Sequence, residues 1–536
     1  MVLRGDFGLF TQDASAPNQT NLTYDFDMIG TNGDIIHFNA KKKVNPSVAF
    51  SPVKTWQATS TLYVTLTRPD ASLVGKGILY IEMRDFLDEM MTLRASGKSN
   101  SARFRSMLQF LTYFTKSVSH AFFALCNTLQ WPSITYVADI STSDPNETHE
   151  VIASDGVKTQ MHMWEPAPQA EPGKKVLNIL WIPGAGVDHQ IFALPTISKN
   201  AIGYFTAAGY RCWCITHRIG KTPVAEQGYT TYDARLDIQA ALAIIRNKGP
   251  SREKVYVIAH CAGSVALGIG LLDGTIDASW ILGITASNVF LHPEFARVNY
   301  IKAYFPLPLT KIYSKIAGPF YDTVSTQNDS WLQRTLTQLL RFYPMGSRSE
   351  LCNSVVCHRA SLVFGKLWSH RNLNEMTHAQ LHRFLGGTSM ASLRHLMRMG
   401  TAGRVLDNAG KDSLLTDANL ERLRGIPIFL FSGVENTVYS PEATLTSYTA
   451  LRTRFGEIGY ERVEFVGRGH LDCWMGAAEA GKGGVYEIVR KKMERVIALG
   501  QNGLTGGLWS AGKAKGKEYE TMESGVKIDG ASDIAV

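Results

Sequence analysis

The segment Val257-Ile258-Ala259-His260-Cys261-Ala262-Gly263-Ser264 constrains this chain more than any other stretch of its sequence. An apolar run that reads as a buried strand enters a turn of the form small-x-nucleophile-x-small, and a helical run of small residues follows. Such a turn holds its central residue in an unfavourable backbone conformation and lifts that side chain above the end of a sheet. Small residues at Ala259 and Gly263 let strand and helix pass closely. The N-terminus of the following helix points amide groups and partial positive charge at the thiol of Cys261, so a lowered thiol pKa and a thiolate are expected. The competing reading is a buried structural cysteine in a β–α turn.

The surrounding pattern fits a strand–turn–helix unit in a parallel sheet. From Val151 onward, strand-like and helix-like segments alternate. Strands are expected at Val176–Ile182, Arg211–Thr216, Lys254–Ala259, Trp280–Thr285, Ile426–Phe431 and Val463–Val466, with a helix over Tyr232–Asn247. This alternation predicts a mostly parallel, doubly wound sheet. Residues 287–425 interrupt it with a long helical pattern rich in aromatics, His and Arg, which reads as a lid over an active site. Ahead of the sheet, residues 1–23 look loose, 24–83 alternate in strand fashion and 84–131 read as helix. Residues 1–140 therefore form an expected α+β module, without G-x-G-x-x-G or a P-loop. The domain with the parallel sheet spans 150–498, and the Gly-, Lys- and Glu-rich tail 510–536 is expected to be disordered.

Partners for Cys261 follow in chain order. The strand ending at Ile182 leads into Pro183-Gly184-Ala185-Gly186, and the N–H groups of Ala185 and Ala262 are the expected pair of oxyanion donors. The strand Val463–Val466 leads to Gly467-Arg468-Gly469-His470, which places His470 as general base. The strand Ile426–Phe431 leads to Ser432-Gly433-Val434-Glu435-Asn436. Asn436 occupies the place of the orienting acid, with Glu435 beside it as the alternative and Asp472 as a further acidic candidate. An amide can orient an imidazole when the nucleophile is a cysteine. Together these segments predict an α/β-hydrolase fold with a long helical lid, preceded by the small α+β domain.

Composition narrows the setting. The chain has 536 residues, with 55 basic and 47 acidic side chains, a formal balance of +8. No basic run is interleaved with aromatics, so no nucleic-acid partner is expected. Lys41 to Lys43 and Lys513 to Lys517 read as solvated surface and tail. The N-terminus lacks an apolar signal region, so the sites at Asn18, Asn21 and Asn146 are expected to be unglycosylated. Seven cysteines are too few to staple a chain of this length. They suit a reduced, cytoplasmic protein with a free thiol nucleophile. The apolar stretch Met107–Trp131 is broken by Lys116, Ser117, Ser119 and His120 and reads as a buried or interfacial helix, with weak membrane-surface contact as its one implied partner. Cys352, Cys357, His358, His370, His378 and His382 lack the paired spacing of a zinc site and read as structural lid residues. Neither metal nor cofactor is expected.

The chain resembles the α/β-hydrolase module found C-terminal to cholesterol-oxidase-like proteins of the glucose-methanol-choline oxidoreductase superfamily. The resemblance lies in Ala259 to Ser264, Val356-Cys357-His358-Arg359, Phe364-Gly365, His370 to Asn374, Thr377-His378, Gly433 to Asn436 and Gly469 to Gly476. In this family the nucleophile position usually carries serine. Residues 24–131, including Gly75 to Leu79 and Asp85-Phe86, also resemble the substrate domain of such an oxidase, but the flavin-binding portion is absent and no oxidase activity is implied. The resemblance implies hydrolysis of an ester or thioester through an acyl-cysteine, with a small hydrophobic substrate such as a lipid, sterol, polyketide or terpenoid from fungal secondary metabolism. Acyl transfer through the same intermediate and a non-catalytic binding protein are the alternatives.

Overall fold

A computed structural model describes residues 2–13, 19–44, 52–122, 144–167, 176–248, 252–304, 309–324, 329–340, 342–343, 350 and 352–501. The chain forms two compact units. One is drawn from 1–131, 336–358 and 374–378, and the other from the remainder. Stretches of the expected lid thus belong to the first unit. The expected tail 510–536, Asn18 and Cys126 lie outside the described residues.

The first unit holds a five-stranded antiparallel meander in the order β1 (Val2–Gln12), β2 (Thr20–Ile29), β3 (Ile35–Val44), β4 (Thr61–Thr67) and β5 (Leu73–Tyr80). Helices Pro52–Ser60, Met83–Thr92 and Asn100–Phe122 belong to the same unit. The expectation of a loose N-terminus fails for Val2–Gln12, because the glycines that suggested looseness permit the pairing. A Cβ on Gly5 would collide with Phe26 of the facing strand, and Gly5 pairs directly with Phe26. Helix Asn100–Phe122 carries the described part of the apolar stretch, and Phe104, Leu108 and Tyr113 on it are exposed rather than buried. No helix of the described residues is long and apolar enough to cross a membrane.

The second unit contains the predicted sheet. Its strands are β6 (Glu147–Ile152), β7 (Lys158–Trp164), β8 (Asn178–Ile182), β9 (Arg211–Thr216), β10 (Val255–His260) and β11 (Ile281–Ser287). A two-residue ribbon of β12 (Phe320–Tyr321) and β13 (Thr388–Ser389) lies in the insertion, and β14 (Ile428–Gly433) and β15 (Tyr460–Phe465) complete the sheet. The order is β15-β14-β11-β10-β8-β9-β7-β6. The six strands from β15 to β9 run parallel, and β7 and β6 add an antiparallel edge. This is the α/β-hydrolase fold, and the small α+β domain precedes it as expected. Continuous burial along β10 and β14 explains why those strands read as unbroken apolar runs rather than alternating ones.

Strand order reverses at the middle of this sheet. From β8 the chain moves outward to β9, returns to β10 on the other side of β8, and continues through β11, β14 and β15. The loops after β8 and β10 therefore stand together at the carboxyl ends of the strands, at the switch point where doubly wound sheets bind ligands. Cys261 closes β10, and the Pro183–Gly186 loop closes β8.

The loop after β9 anchors that second loop. His217 places Nε2 2.7 Å from Pro183 O, and Gly186 N donates to Ile219 O at 2.9 Å. Between them, Arg218 is wholly buried and pairs with the equally buried Asp237, at 2.8 Å from Nη2. Asp237 also accepts the backbone N–H of Arg218 at 2.8 Å, and Asp155 takes the far side of the guanidinium. Removing one partner of a buried ion pair leaves an uncompensated charge. Asp237→Ala is therefore expected to lower unfolding free energy by about 3–5 kcal/mol, measured by urea denaturation. A loss below ~1 kcal/mol, the range of exposed pairs, would show that Asp155 alone keeps Arg218 paired.

Candidate active site

Cys261 sits at φ 52° and ψ −130° between β10 and the helix Ala262–Asp273. A side-chain-bearing residue adopts that conformation only where the surroundings impose it. Three contacts do so here. Cys261 N donates to Ser287 O at 3.1 Å on β11. Ser264 Oγ donates to Cys261 O at 2.7 Å. Gly263 brings the helix against the loop after β8 so closely that a Cβ would collide with Pro183 O. Gly184 packs tightly from the other side, since a Cβ there would lie 3.0 Å from the Cβ of Cys261. Gly263 is thus demanded by the meeting of two loops at one sulfur.

The N–H groups of Ala262 and Ala185 both reach that sulfur. These are the two amides named from the sequence, and they come from the two loops at the switch point. The expected thiolate is not what this environment favours. Burial pushes the Cys261 thiol up to about 12, against the opposing pull of the Ala262 and Ala185 amides. Withdrawal from water outweighs the helix terminus here, because no cation among the described residues offsets the lost hydration of a thiolate.

His470 lies beside Cys261, with donor atoms of His260, Cys261 and His470 all within 4.8 Å of one another. Burial lowers the His470 imidazole to about 3, so it is neutral near pH 7. Its Nδ1 is 3.2 Å from Asn436 Oδ1. The amide orientation of Asn436 is fixed independently, because Oδ1 also accepts from Val438 N at 3.0 Å and Tyr439 N at 3.4 Å, and backbone N–H groups can only donate. His470 therefore carries its proton on Nδ1 and donates it to Asn436, which leaves Nε2 as the basic nitrogen.

The structure separates Glu435 from this chain of contacts. Its carboxylate accepts from Ser369 Oγ at 2.7 Å and pairs with Arg371. Asp472 also turns away from the imidazole. It accepts from Gly469 N at 2.7 Å, Ser369 N at 3.1 Å and Asn372 Nδ2 at 2.6 Å, and so shapes the loop that carries His470. Leu471 N adds a bond to Leu367 O at 2.6 Å. On the opposite side, Gly386 N donates to Gly186 O at 2.8 Å and Asp188 N to Phe384 O at 3.3 Å. Insertion segments in this unit therefore fasten both the histidine loop and the loop that carries Ala185.

Several positioning residues escaped sequence reasoning. Asn288, just past β11, has φ 70°. Its Nδ2 donates to His470 O at 2.8 Å, while its Oδ1 accepts from Ser432 Oγ at 3.3 Å. Asparagine tolerates that backbone region better than most residues, which is the one sequence signal it offered. Ser287 Oγ lies 2.9 Å from His260 Nδ1 and accepts from Trp474 Nε1 at 3.1 Å. The buried Trp474 stacks edge-on against Trp181 and Phe192, giving the histidine loop a rigid floor.

His260, Cys261 and His470 are also a set of ligand types. The two amides aimed at the sulfur argue against a cation there, since their positive ends stabilise negative charge. The set suits an oxyanion better than a metal.

No family model matches the chain, and no curated protein sequence matches it. Solved structures similar to it include a thermophilic esterase from Thermogutta terrifontis, at 10% identity over 65% of this chain and 99% of that one, with a TM-score of 0.36. A monoacylglycerol lipase from Paleococcus ferrophilus has 12% identity over 64% and 99%, with a TM-score of 0.35. A soluble variant of monoglyceride lipase from Saccharomyces cerevisiae has 14% identity over 68% and 98%, with a TM-score of 0.40.

Proposed function

We propose that this chain is an acyl hydrolase that cleaves an ester or thioester through a covalent acyl-cysteine formed on Cys261. One observation carries the proposal: the strained Cys261 thiol has two converging backbone amides on one side and a neutral imidazole, oriented by Asn436, on the other.

The arrangement supports the following sequence. His470 Nε2 takes the thiol proton as Sγ attacks the substrate carbonyl carbon. Charge develops on the carbonyl oxygen and is met by the Ala185 and Ala262 N–H groups. The imidazolium, steadied by Asn436, returns the proton to the leaving alkoxide or thiolate as the carbon–oxygen or carbon–sulfur bond breaks. Water then attacks the acyl-cysteine and gives its proton to His470. Collapse of the second tetrahedral state releases the acid and regenerates the thiol. The Phe364 ring lies against Gly186 at the oxyanion loop, which favours an apolar acyl group. The resemblance to hydrolase modules of cholesterol-oxidase-like proteins supports a small hydrophobic ester or thioester as the substrate class.

Incubation with an activated aryl ester tests the reaction. Mass spectrometry is expected to find the acyl adduct on the peptide containing Cys261, with free acid as the product. Cys261→Ala should abolish the adduct. Retention of turnover in that variant would overturn the proposal, and an ester product in the presence of added alcohol would redirect it to acyl transfer.

His470→Ala should lower kcat/KM by about 10²–10⁴, the usual worth of a general acid–base. Asn436→Ala should produce a smaller loss, because the base remains while its orientation is freed.

The charge state gives a separate prediction. With the thiol near 12 and the imidazole near 3, the resting pair is neutral between those values. Thiolate ultraviolet absorbance from Cys261 should therefore be absent at neutral pH in a difference spectrum against Cys261→Ala. Protonation disables the base, and a lowered imidazole pKa moves that event to more acid solution. The acid limb of kcat/KM should consequently fall well below the ordinary histidine value of 6.5. An acid limb at that ordinary value would show that His470 is hydrated in the working enzyme.

A further inference from the structure

We propose that Cys352, Cys357 and His378 form a buried site for a divalent metal ion of the zinc type, separate from the catalytic centre. All three residues belong to one compact unit. They are almost completely buried, at 3%, 0% and 4% exposure. Their donor atoms all lie within 4.8 Å of one another, and Cys357 Sγ is 3.2 Å from His378 Nε2.

These separations fit a metal. With metal–sulfur bonds of about 2.3 Å and metal–nitrogen bonds of about 2.0 Å, tetrahedral donors stand roughly 3.5 Å apart. Two thiols and an imidazole are also the donor chemistry that zinc selects over magnesium or calcium. A hydrophobic side chain would fill this space at less cost than three polar donors facing each other in a dry interior.

The surroundings supply what a metal-bound histidine needs. His378 presents Nε2 to the thiol, and its Nδ1 faces Glu375 Oε2 at 3.9 Å. At that separation the carboxylate makes no hydrogen bond to the ring, but its negative charge lies behind the far nitrogen, which favours an imidazole bound to a cation. The short helix Glu375–Ala379 that carries both residues is held at its start by Asn374 Oδ1, which accepts from Thr377 N at 2.8 Å. The cysteines flank the first turn of helix Val355–Phe364, with Ser354 Oγ accepting from Cys357 N at 3.5 Å.

His358 is excluded as a donor. Its Nδ1 lies 2.8 Å from Leu340 O and its Nε2 lies 2.8 Å from Cys352 O. Both nitrogens are thus committed to carbonyls, one of them on a ligand residue, so His358 pins the backbone of Cys352.

The sequence hid this set. Cys352 and Cys357 are separated by four residues with a histidine next in line, and the eye pairs them with that wrong histidine. The third donor lies 21 positions beyond Cys357, on another helix. Binding would release the two thiol protons to solvent, leaving two thiolates and a neutral imidazole on the ion.

The full-length chain tests this independently of acyl chemistry. After gel filtration, elemental mass spectrometry is expected to find zinc stoichiometric with protein. Exchange with cobalt(II) should give a thiolate-to-cobalt charge-transfer band and the intense visible absorption of a tetrahedral centre. Cys352→Ser and Cys357→Ser should each lose the band and the metal, while Cys261→Ser should keep both. Should either cysteine variant fail to fold, His378→Gln and the cobalt spectrum of the unaltered chain still decide. Absence of both metal and band would overturn the proposal. So would a Cys352–Cys357 disulfide found by peptide mapping of protein purified without oxidant, or loss of the band in Cys261→Ser, which would place the ion at the other cluster.

Discussion

Everything at the candidate site depends on how closely two loops approach at the switch point of the parallel sheet. The loop after β8 and the turn after β10 meet at Cys261, and Gly263 and Gly184 are the residues that let them meet. That approach brings amides from separate loops to one sulfur. A methyl group at Gly263 would collide with Pro183 O and push the loops apart, and one at Gly184 would crowd the Cys261 side chain. The strain at Cys261 is sustained by bonds from β11 and from its own helix. It is also sustained by the anchor after β9, where the buried Arg218–Asp237 pair stands between two bonds to the β8 loop.

This dependence explains what could be read from the sequence. The elbow was legible because steric demand leaves so few residue choices at Ala259, Cys261 and Gly263. The parallel strands were legible because burial on both faces makes them continuous apolar runs. His470 and Asn436 were legible by position, since each closes a strand whose place in the sheet is fixed by the fold. Asn288 was not legible, because its role comes from reaching two loops that are distant in sequence. Glu435 looked like a candidate because it neighbours Asn436, yet adjacent residues in a turn point in different directions, and it faces Arg371 and Ser369 instead. The N-terminal strand was missed for a related reason. Its glycines signal flexibility when read alone and close packing when the facing Phe26 is known.

Charge was the least legible property. A helix N-terminus beside a thiol argues for thiolate when counted by itself. In the folded chain, burial removes more stabilising water than the amides replace, and the direction reverses. The same burial acts on His470 in the opposite sense, because both groups are driven to their uncharged forms.

That neutrality bears on Asn436. A carboxylate at this position would be buried and negatively charged while the imidazole it faces is neutral. An amide avoids that resting cost and still fixes the imidazole through Oδ1, which the Val438 and Tyr439 amides lock in place. It stabilises the imidazolium less than a carboxylate would. In the proposed reaction this loss is tolerable for a thiol, which gives up its proton more readily than an alcohol and is the stronger nucleophile once it has done so. In the proposed reaction, cysteine at 261 and asparagine at 436 are thus matched: each makes the other workable beside the buried imidazole of His470.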